Sequence, residues 1–476
     1  MNVDKLIGYL EYRNEMHIFT IENYEVQLIP CNPEKLITYQ VDTIFDPITN
    51  KNNRGFINDV VLKGECLDGK NISMCIQDSP WISNGVFKYK VNWIYVYNRE
   101  KCIEDISGLN FLSQEINYFY DTKQYIKDDF ELEDGCFKNY TVNINSKERT
   151  CLGTFRYNNN TIKVFGDMAW KKNYDVSNNL EIWSKISLEF ENNIKDVNEL
   201  YKIVLLQKLV INVLTYRTNN GFDSIEVYSY NVKKKKEIIG NYYISDEYIR
   251  ESNYKNVQHL IKHENISNIG KLYELLNDGK IYTSHICGSY KLSKVYNPPR
   301  MLGILIAFER IINWKYDKKK FRNDEYIEFL NRIKEMVYSN KTKLCEGLSK
   351  NKIKFNSTVE LALKPQIPFS TYILNVIDDY PISFSIIKTI YGTDVTKKLL
   401  TDISERINKL RNDMAHGNMD IEFNENNTKD LKFMEILFYV LVLSELELSD
   451  DEIINKIAWL FNIRPFIHVK DNSIKK

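Results

Sequence analysis

Hydrophobic and polar residues alternate over short stretches of the first half of the chain. Tyr24–Ile29, Lys90–Tyr97, Thr161–Phe165 and Ser224–Tyr230 are rich in β-branched and aromatic residues, and turn-forming Asn, Asp, Gly or Pro lies between many of them. This pattern predicts strands. The apolar run from Leu200 to Tyr216 breaks it and suits a buried helix, so the first half reads as β-rich but not all-β.

After the lysine run 233–236, strand-like alternation fades and helical periodicity takes over. The spacing predicts helices over 300–316, 325–348, 371–391, 394–416 and 429–447, with a short one near 450–461. The fourth has the clearest apolar stripe, because Val395, Leu399, Leu400, Ile403, Ile407, Leu410 and Met414 recur at three- and four-residue steps. Thr393 or Asp394 can cap its start. Gly417 can take the left-handed conformation that ends a helix, which places the stop just after His416.

Asn297-Pro298-Pro299 is the sharpest punctuation, since proline lacks the amide donor a helix interior needs. These boundaries give an α+β chain: a β-rich N-terminal domain over 1–240, a helical connector over 241–298 and an all-α helical domain over 299–476. No internal repeat or low-complexity linker interrupts them.

Composition narrows the function classes. Hydrophobic content of 43% with 27% charged residues describes a folded chain, and 476 residues suffice for two or three domains. Lys plus Arg equals Asp plus Glu at 64 each. A nucleic-acid partner would therefore be met by a local basic patch, not by the field of the whole molecule. The eight cysteines form no CxxC pair and read as reduced thiols. No signal peptide is expected at the N-terminus, and the most apolar stretches, Leu200–Thr215 and Ile436–Leu443, are interrupted or too short to span a bilayer. A cytoplasmic location without membrane contact is the expectation.

Chemistry concentrates in Arg411-Asn412-Asp413-Met414-Ala415-His416-Gly417, which holds one of only six histidines. An imidazole can move a proton near neutral pH, and a guanidinium can hold a phosphate. On an ideal helix, five residues turn the chain so that Arg411 and His416 point about 140° apart. To serve one site they need a distorted last turn, a folded-over arginine or a two-fold dimer that brings two helix ends together. Arg and His near a helix C-terminus also complement the macrodipole without any catalytic role.

Leu410-Arg411-Asn412-Asp413-Met414-Ala415-His416-Gly417, at the end of the penultimate long helix of an all-α region, resembles the motif of HEPN domains, in the form seen in ApeA-like proteins. The resemblance covers about 299–476; the N-terminal half matches in length and character only. It implies an all-α HEPN bundle and a metal-independent endoribonuclease that needs no cofactor, acts on RNA (tRNA first) as a homodimer, and serves bacterial anti-phage defence by abortive infection under a phage-derived trigger. His416 would be the general acid/base, Arg411 the phosphate ligand and Asn412 the orienting residue, with Glu309 in support. HEPN toxins silenced by a partner nucleotidyltransferase carry a tyrosine two residues after the histidine. Asn418 stands there and speaks against that mode. The alternative is a catalytically silent RNA- or nucleotide-binding protein or dimerisation scaffold with an N-terminal protein-recognition module.

Three further patterns need weighing. His259 and His263 have the i, i+4 spacing that can grip a metal from one helix face, but no third ligand is evident. Lys318, Lys319, Lys320 and Arg322, followed by Lys341, Lys343, Lys350, Lys352 and Lys354, can supply the basic patch for RNA, with a solvated loop as the ordinary reading. Residues 420–452 are strongly acidic, which segregates charge within the helical region. The run 233–236 reads as a solvated loop.

Overall fold

A computed structural model describes residues 5–35, 59–77, 81–83, 86–98, 106–121, 126–133, 136–144, 149–172, 180–245, 250–251, 253–264, 266–317, 324–344, 346, 352–363, 367–418 and 420–463. Strands β1 (Leu6–Tyr12), β2 (Glu15–Glu22) and β3 (Glu25–Pro30) form an antiparallel meander. Its two turns, Arg13-Asn14 and Asn23-Tyr24, have φ of 54°, 61°, 50° and 58°. Consecutive positive φ values match the twist of paired strands. β4 (Asp59–Cys66) and β5 (Asn71–Gln77) make the next hairpin, followed by the short β6 (Trp81–Ser83) and the long β7 (Val86–Tyr97). Because β7 pairs with both β3 and β5, and β1 pairs with β4, these strands close a six-stranded barrel in the order β1-β2-β3-β7-β5-β4. Leu10, Phe19, Leu28, Ile72, Met74 and Phe87 are part of its own apolar filling.

β7 is also the wall between two cores. Phe87, Tyr89, Val91, Ile94 and Val96 join the barrel filling, so the inward phase changes after Val91. The β5 ladder slips at that point: Cys75 pairs with Trp93 and Ile76 with Val91, leaving Asn92 as an extra residue. The bulge turns Trp93, Tyr95 and Tyr97 into the second core.

That core lies under an antiparallel extension of the sheet, built from β8 (Ile106–Leu112), β11 (Thr150–Tyr157), β12 (Asn160–Lys172), β13 (Leu180–Ile194), β14 (Ser224–Tyr230) and β15 (Lys236–Ile244) in the order β11-β12-β13-β8-β14-β15-β7. β9 (Ile126–Glu133) and β10 (Cys136–Ile144) form a separate hairpin. Helices α1 (Gln114–Phe119) and α2 (Val197–Thr215) complete this half. The expected helix over Leu200–Tyr216 is α2, capped by Asp196 and ended by Tyr216 at φ 54°. Strand structure runs past the lysine run to Ile244, so Lys236 opens β15 and does not lie in a loop.

The segment after β15 is less helical than its spacing suggests. It holds α3 (Tyr254–Val257), α4 (Gly270–Asn277) and a single 3₁₀ turn at Leu292–Lys294, joined by turns. The helical region then comprises α5 (Pro298–Lys315), α6 (Asp324–Ser339), α7 (Lys341–Leu344), α8 (Lys352–Ala362), α9 (Phe369–Asp379), α10 (Ile382–Tyr391), α11 (Lys397–Ala415), α12 (Glu425–Ser444) and α13 (Asp450–Leu460). Pro381 divides the helix expected over 371–391, and α8 has no counterpart in the periodicity. α11 is capped by Thr396, whose hydroxyl accepts from the Leu399 amide at 3.1 Å, not by Thr393 or Asp394.

α12 is the axis of this region: Leu431 and every residue from Phe433 to Leu443 are buried. It packs against α5, α10, α11 and α13. One continuous apolar core joins these helices to α2 and the sheet. At the seam, Arg300 of α5 grips the buried Glu435 of α12 through Nε–Oε1 at 2.6 Å and Nη2–Oε2 at 2.8 Å. The same guanidinium donates to the carbonyls of Ser293 and Val295 and to Tyr216 Oη. A buried carboxylate needs such a partner. Among the described residues, no helix is long and apolar enough to cross a membrane.

Candidate functional site

α11 carries the candidate residues on its last turn. Its stripe of Leu400, Ile403, Ile407, Leu410 and Met414 is buried, which leaves Lys409, Asn412, Ala415 and His416 exposed. The end is a complete Schellman motif. Gly417 has φ 86°, its amide donates to the Met414 carbonyl at 3.0 Å, and the Asn418 amide donates to the Asp413 carbonyl at 3.1 Å. The His416 amide still reaches the Asn412 carbonyl at 3.1 Å, so the last turn is regular and does not swing His416 toward Arg411.

Arg411 turns the other way, toward α5. Its Nη2 lies 3.2 Å from Glu309 Oε2, and its Nη1 donates to Asn412 Oδ1 at 3.3 Å. The structure thus brings together Glu309, Arg411 and Asn412. His416 stands outside that group, with its ring exposed and no side-chain hydrogen bond among the described residues. Of the three routes that would join Arg411 and His416, a distorted last turn is absent.

Another arginine of α11 shows what structural use looks like. Arg406 donates from Nε and Nη2 to the two oxygens of Asp430 at 2.6 and 2.7 Å, and Tyr391 Oη donates to Asp430 Oδ1 at 2.6 Å. Asp430 is fully buried. Arg406 is committed to holding α10, α11 and α12 together, whereas Arg411 meets only the exposed Asn412 and a Glu309 carboxylate whose side chain is 36% exposed. Tyr372 on α9 is a neighbour the sequence did not flag. Burial, then the charge of Glu309, pushes its hydroxyl above the ordinary tyrosine range.

The other candidates separate. Lys318, Lys319, Lys320 and Arg322 lie outside the described residues, as does Lys350. Lys341 Nζ donates to Asn356 Oδ1 at 2.8 Å. The acidic stretch 420–452 is less of a negative face than its count suggests, because Asp430 and Glu435 are buried against Arg406 and Arg300. His259 and His263 are not on one helix face, since α3 ends at Val257. The His259 ring stacks on Tyr290 at 4.9 Å and its Nδ1 meets the Trp459 carbonyl at 3.3 Å, whereas His263 Nδ1 meets the Phe119 carbonyl at 3.3 Å. Among the described residues no group of three or more His, Cys, Asp or Glu side chains is placed to hold a metal ion.

No protein-family model, curated protein or solved structure matches the chain.

Proposed function

We propose that this protein is a metal-independent endoribonuclease of the HEPN kind, with His416 as general acid/base and Arg411 as phosphate ligand. The observation that supports it best is the contrast on α11: a guanidinium steered by Glu309 and Asn412 at the rim of the bundle, and an exposed imidazole on the next turn. Cleavage of RNA needs a base to take the 2′-hydroxyl proton, donors for the charge that builds on the phosphoryl oxygens, and an acid for the departing 5′-oxygen. A histidine can fill the first and last roles in turn, and an arginine the second.

In this reading the site is completed between two copies of the chain. Arg411 and His416 diverge within one copy, and a two-fold axis near the end of α11 would set the His416 of each copy against the Arg411 of the other. The β-rich half then restrains or positions the helices, RNA such as tRNA is the substrate, and a phage component releases activity in an abortive defence response. The alternative of a silent binding scaffold draws on the Glu309–Arg411 pair, which occupies the guanidinium.

The test is cleavage of total tRNA in EDTA by the full chain and by His416→Ala, with and without phage lysate. Cleavage lost in a folded variant supports the proposal. Cleavage that survives the substitution removes His416 from the mechanism, and no cleavage under any of these conditions favours the scaffold.

A further inference from the structure

Two strands share one edge of β7. β3 pairs with it from Phe87 to Lys90, and β15 takes over from Trp93 to Tyr97. They part at the end of the barrel where β1 begins, β4 turns into β5 and β7 stops. A cavity of about 420 Å³ lies there. Its size and its place at a barrel mouth are those of small-molecule sites.

The base of the cavity is apolar. Leu6 and Tyr243 pack against the barrel filling that includes Val96, and Ile238 of β15 keeps 43% of its surface exposed. The wall is polar. Asn241 is the register partner of Val96, and the Asn98 amide donates to the Ile239 carbonyl at 3.1 Å, so one β7–β15 ladder brings both asparagines into the lining. Neither carboxamide has a hydrogen-bond partner among the described residues. Lys70 Nζ donates to Asp68 Oδ2 at 2.7 Å across the β4–β5 turn, which leaves the exposed Lys5 as the lining cation without an ion pair among the described residues.

We propose that this cavity binds a free nucleoside monophosphate. A nucleobase is a flat, largely apolar ring whose edge sets donors beside acceptors. Leu6, Val96 and Ile238 offer it an apolar surface, and the carboxamides of Asn98 and Asn241 each present a donor beside an acceptor, which can match that edge bidentately. Lys5 supplies a cation for the phosphate at the open rim. A purely apolar ligand would strand both carboxamides unpaired. A sugar phosphate would leave the apolar base unused. The site lies in the β-rich half and uses nothing of α11, so it stands apart from the nuclease reading.

Calorimetric titration of the full chain with the four ribonucleoside 5′-monophosphates tests this, beside the matching nucleosides and ribose 5-phosphate. At least one nucleotide should bind more tightly than both its nucleoside and ribose 5-phosphate. Asn98→Ala and Asn241→Ala, each checked for an unchanged unfolding temperature, should weaken that binding by about tenfold, the scale of one hydrogen bond. Lys5→Gln, on an exposed side chain, should weaken the nucleotide and leave the nucleoside unchanged. The proposal is overturned if no nucleotide binds at millimolar concentration, if ribose 5-phosphate binds as tightly as the nucleotides, or if binding is equal in wild type and both asparagine variants. The readout is binding, so the outcome of the tRNA cleavage assay does not bear on it.

Discussion

Glu309 on α5 and Arg411 on α11 meet at 3.2 Å, 102 residues apart in the chain, with both side chains more than a third exposed. The contact orients the guanidinium without burying it. An ion pair this exposed contributes about 0–1 kcal/mol, so an incoming phosphate can compete for the arginine. Glu309→Gln should therefore leave the unfolding temperature nearly unchanged. Arg411→Ala should lower kcat for RNA cleavage by about 10² to 10³, the usual loss when a donor to developing oxyanion charge is removed, and Arg411→Lys should recover only part of it because the fork is lost. Steady-state kinetics beside thermal melts checks all three; a larger stability loss in Glu309→Gln than in Arg411→Ala would contradict the positioning role.

Divergence of Arg411 and His416 within one copy leads to a mixing experiment. Arg411→Ala and His416→Ala are each expected to be inactive alone. When the two variants are unfolded, mixed and refolded together, hybrid dimers hold one site with both groups intact, and activity should return. If the mixture stays inactive while size measurements show hybrids, the two residues act within a single chain.

The end of α11 rests on Gly417 at φ 86°. An added Cβ would meet nothing within 4 Å, so Gly417→Ala tests backbone strain alone. The cost should be about 1 kcal/mol. Loss of cleavage should exceed the loss of stability, because the motif fixes where His416 leaves the helix. Equal kcat in wild type and variant would separate the Schellman end from function.

Acid sensitivity should trace in part to His285. It is 2% exposed, packed against Phe438 at 4.7 Å, and neither ring nitrogen has a hydrogen-bond partner among the described residues. Burial, then the charge of Arg300, holds its imidazolium down to about 3. An unfolded chain takes up that proton near 6.5. The unfolded state therefore binds more protons between those values, so this contribution is complete above about 6.5 and is lost as pH falls toward 3. Denaturant melts of wild type and His285→Phe at pH 7 and pH 5 should show a smaller acid loss in the variant. Identical losses would place the acid sensitivity elsewhere.

What the sequence disclosed was local. The α11 stripe, the Gly417 stop and the strand segments of β3, β7, β12 and β14 were readable because alternation, helical spacing and backbone freedom act over a few residues. Closure of the barrel was not, since β7 must pair with strands from both sides. The bulge at Asn92 hides the phase of that strand from any alternation count. Lys236 reads as a loop residue in the sequence because its partners Asn110 and Ser187 lie on other strands. His259 and His263 misled because i, i+4 spacing has meaning only on a helix, and the chain turns after Val257 to stack His259 on Tyr290. Glu309 enters the sequence reading only through the HEPN resemblance, and its hold on Arg411 depends on how α5 and α11 pack.

The chemistry of the cut ends tests the central claim most directly. RNA cleaved by the purified chain in EDTA should carry 2′,3′-cyclic phosphate and 5′-hydroxyl termini, and a substrate with 2′-deoxyribose at the cleaved position should resist. Cleavage that requires a divalent metal, or that leaves 5′-phosphate and 3′-hydroxyl ends, would contradict a mechanism built on His416 and Arg411.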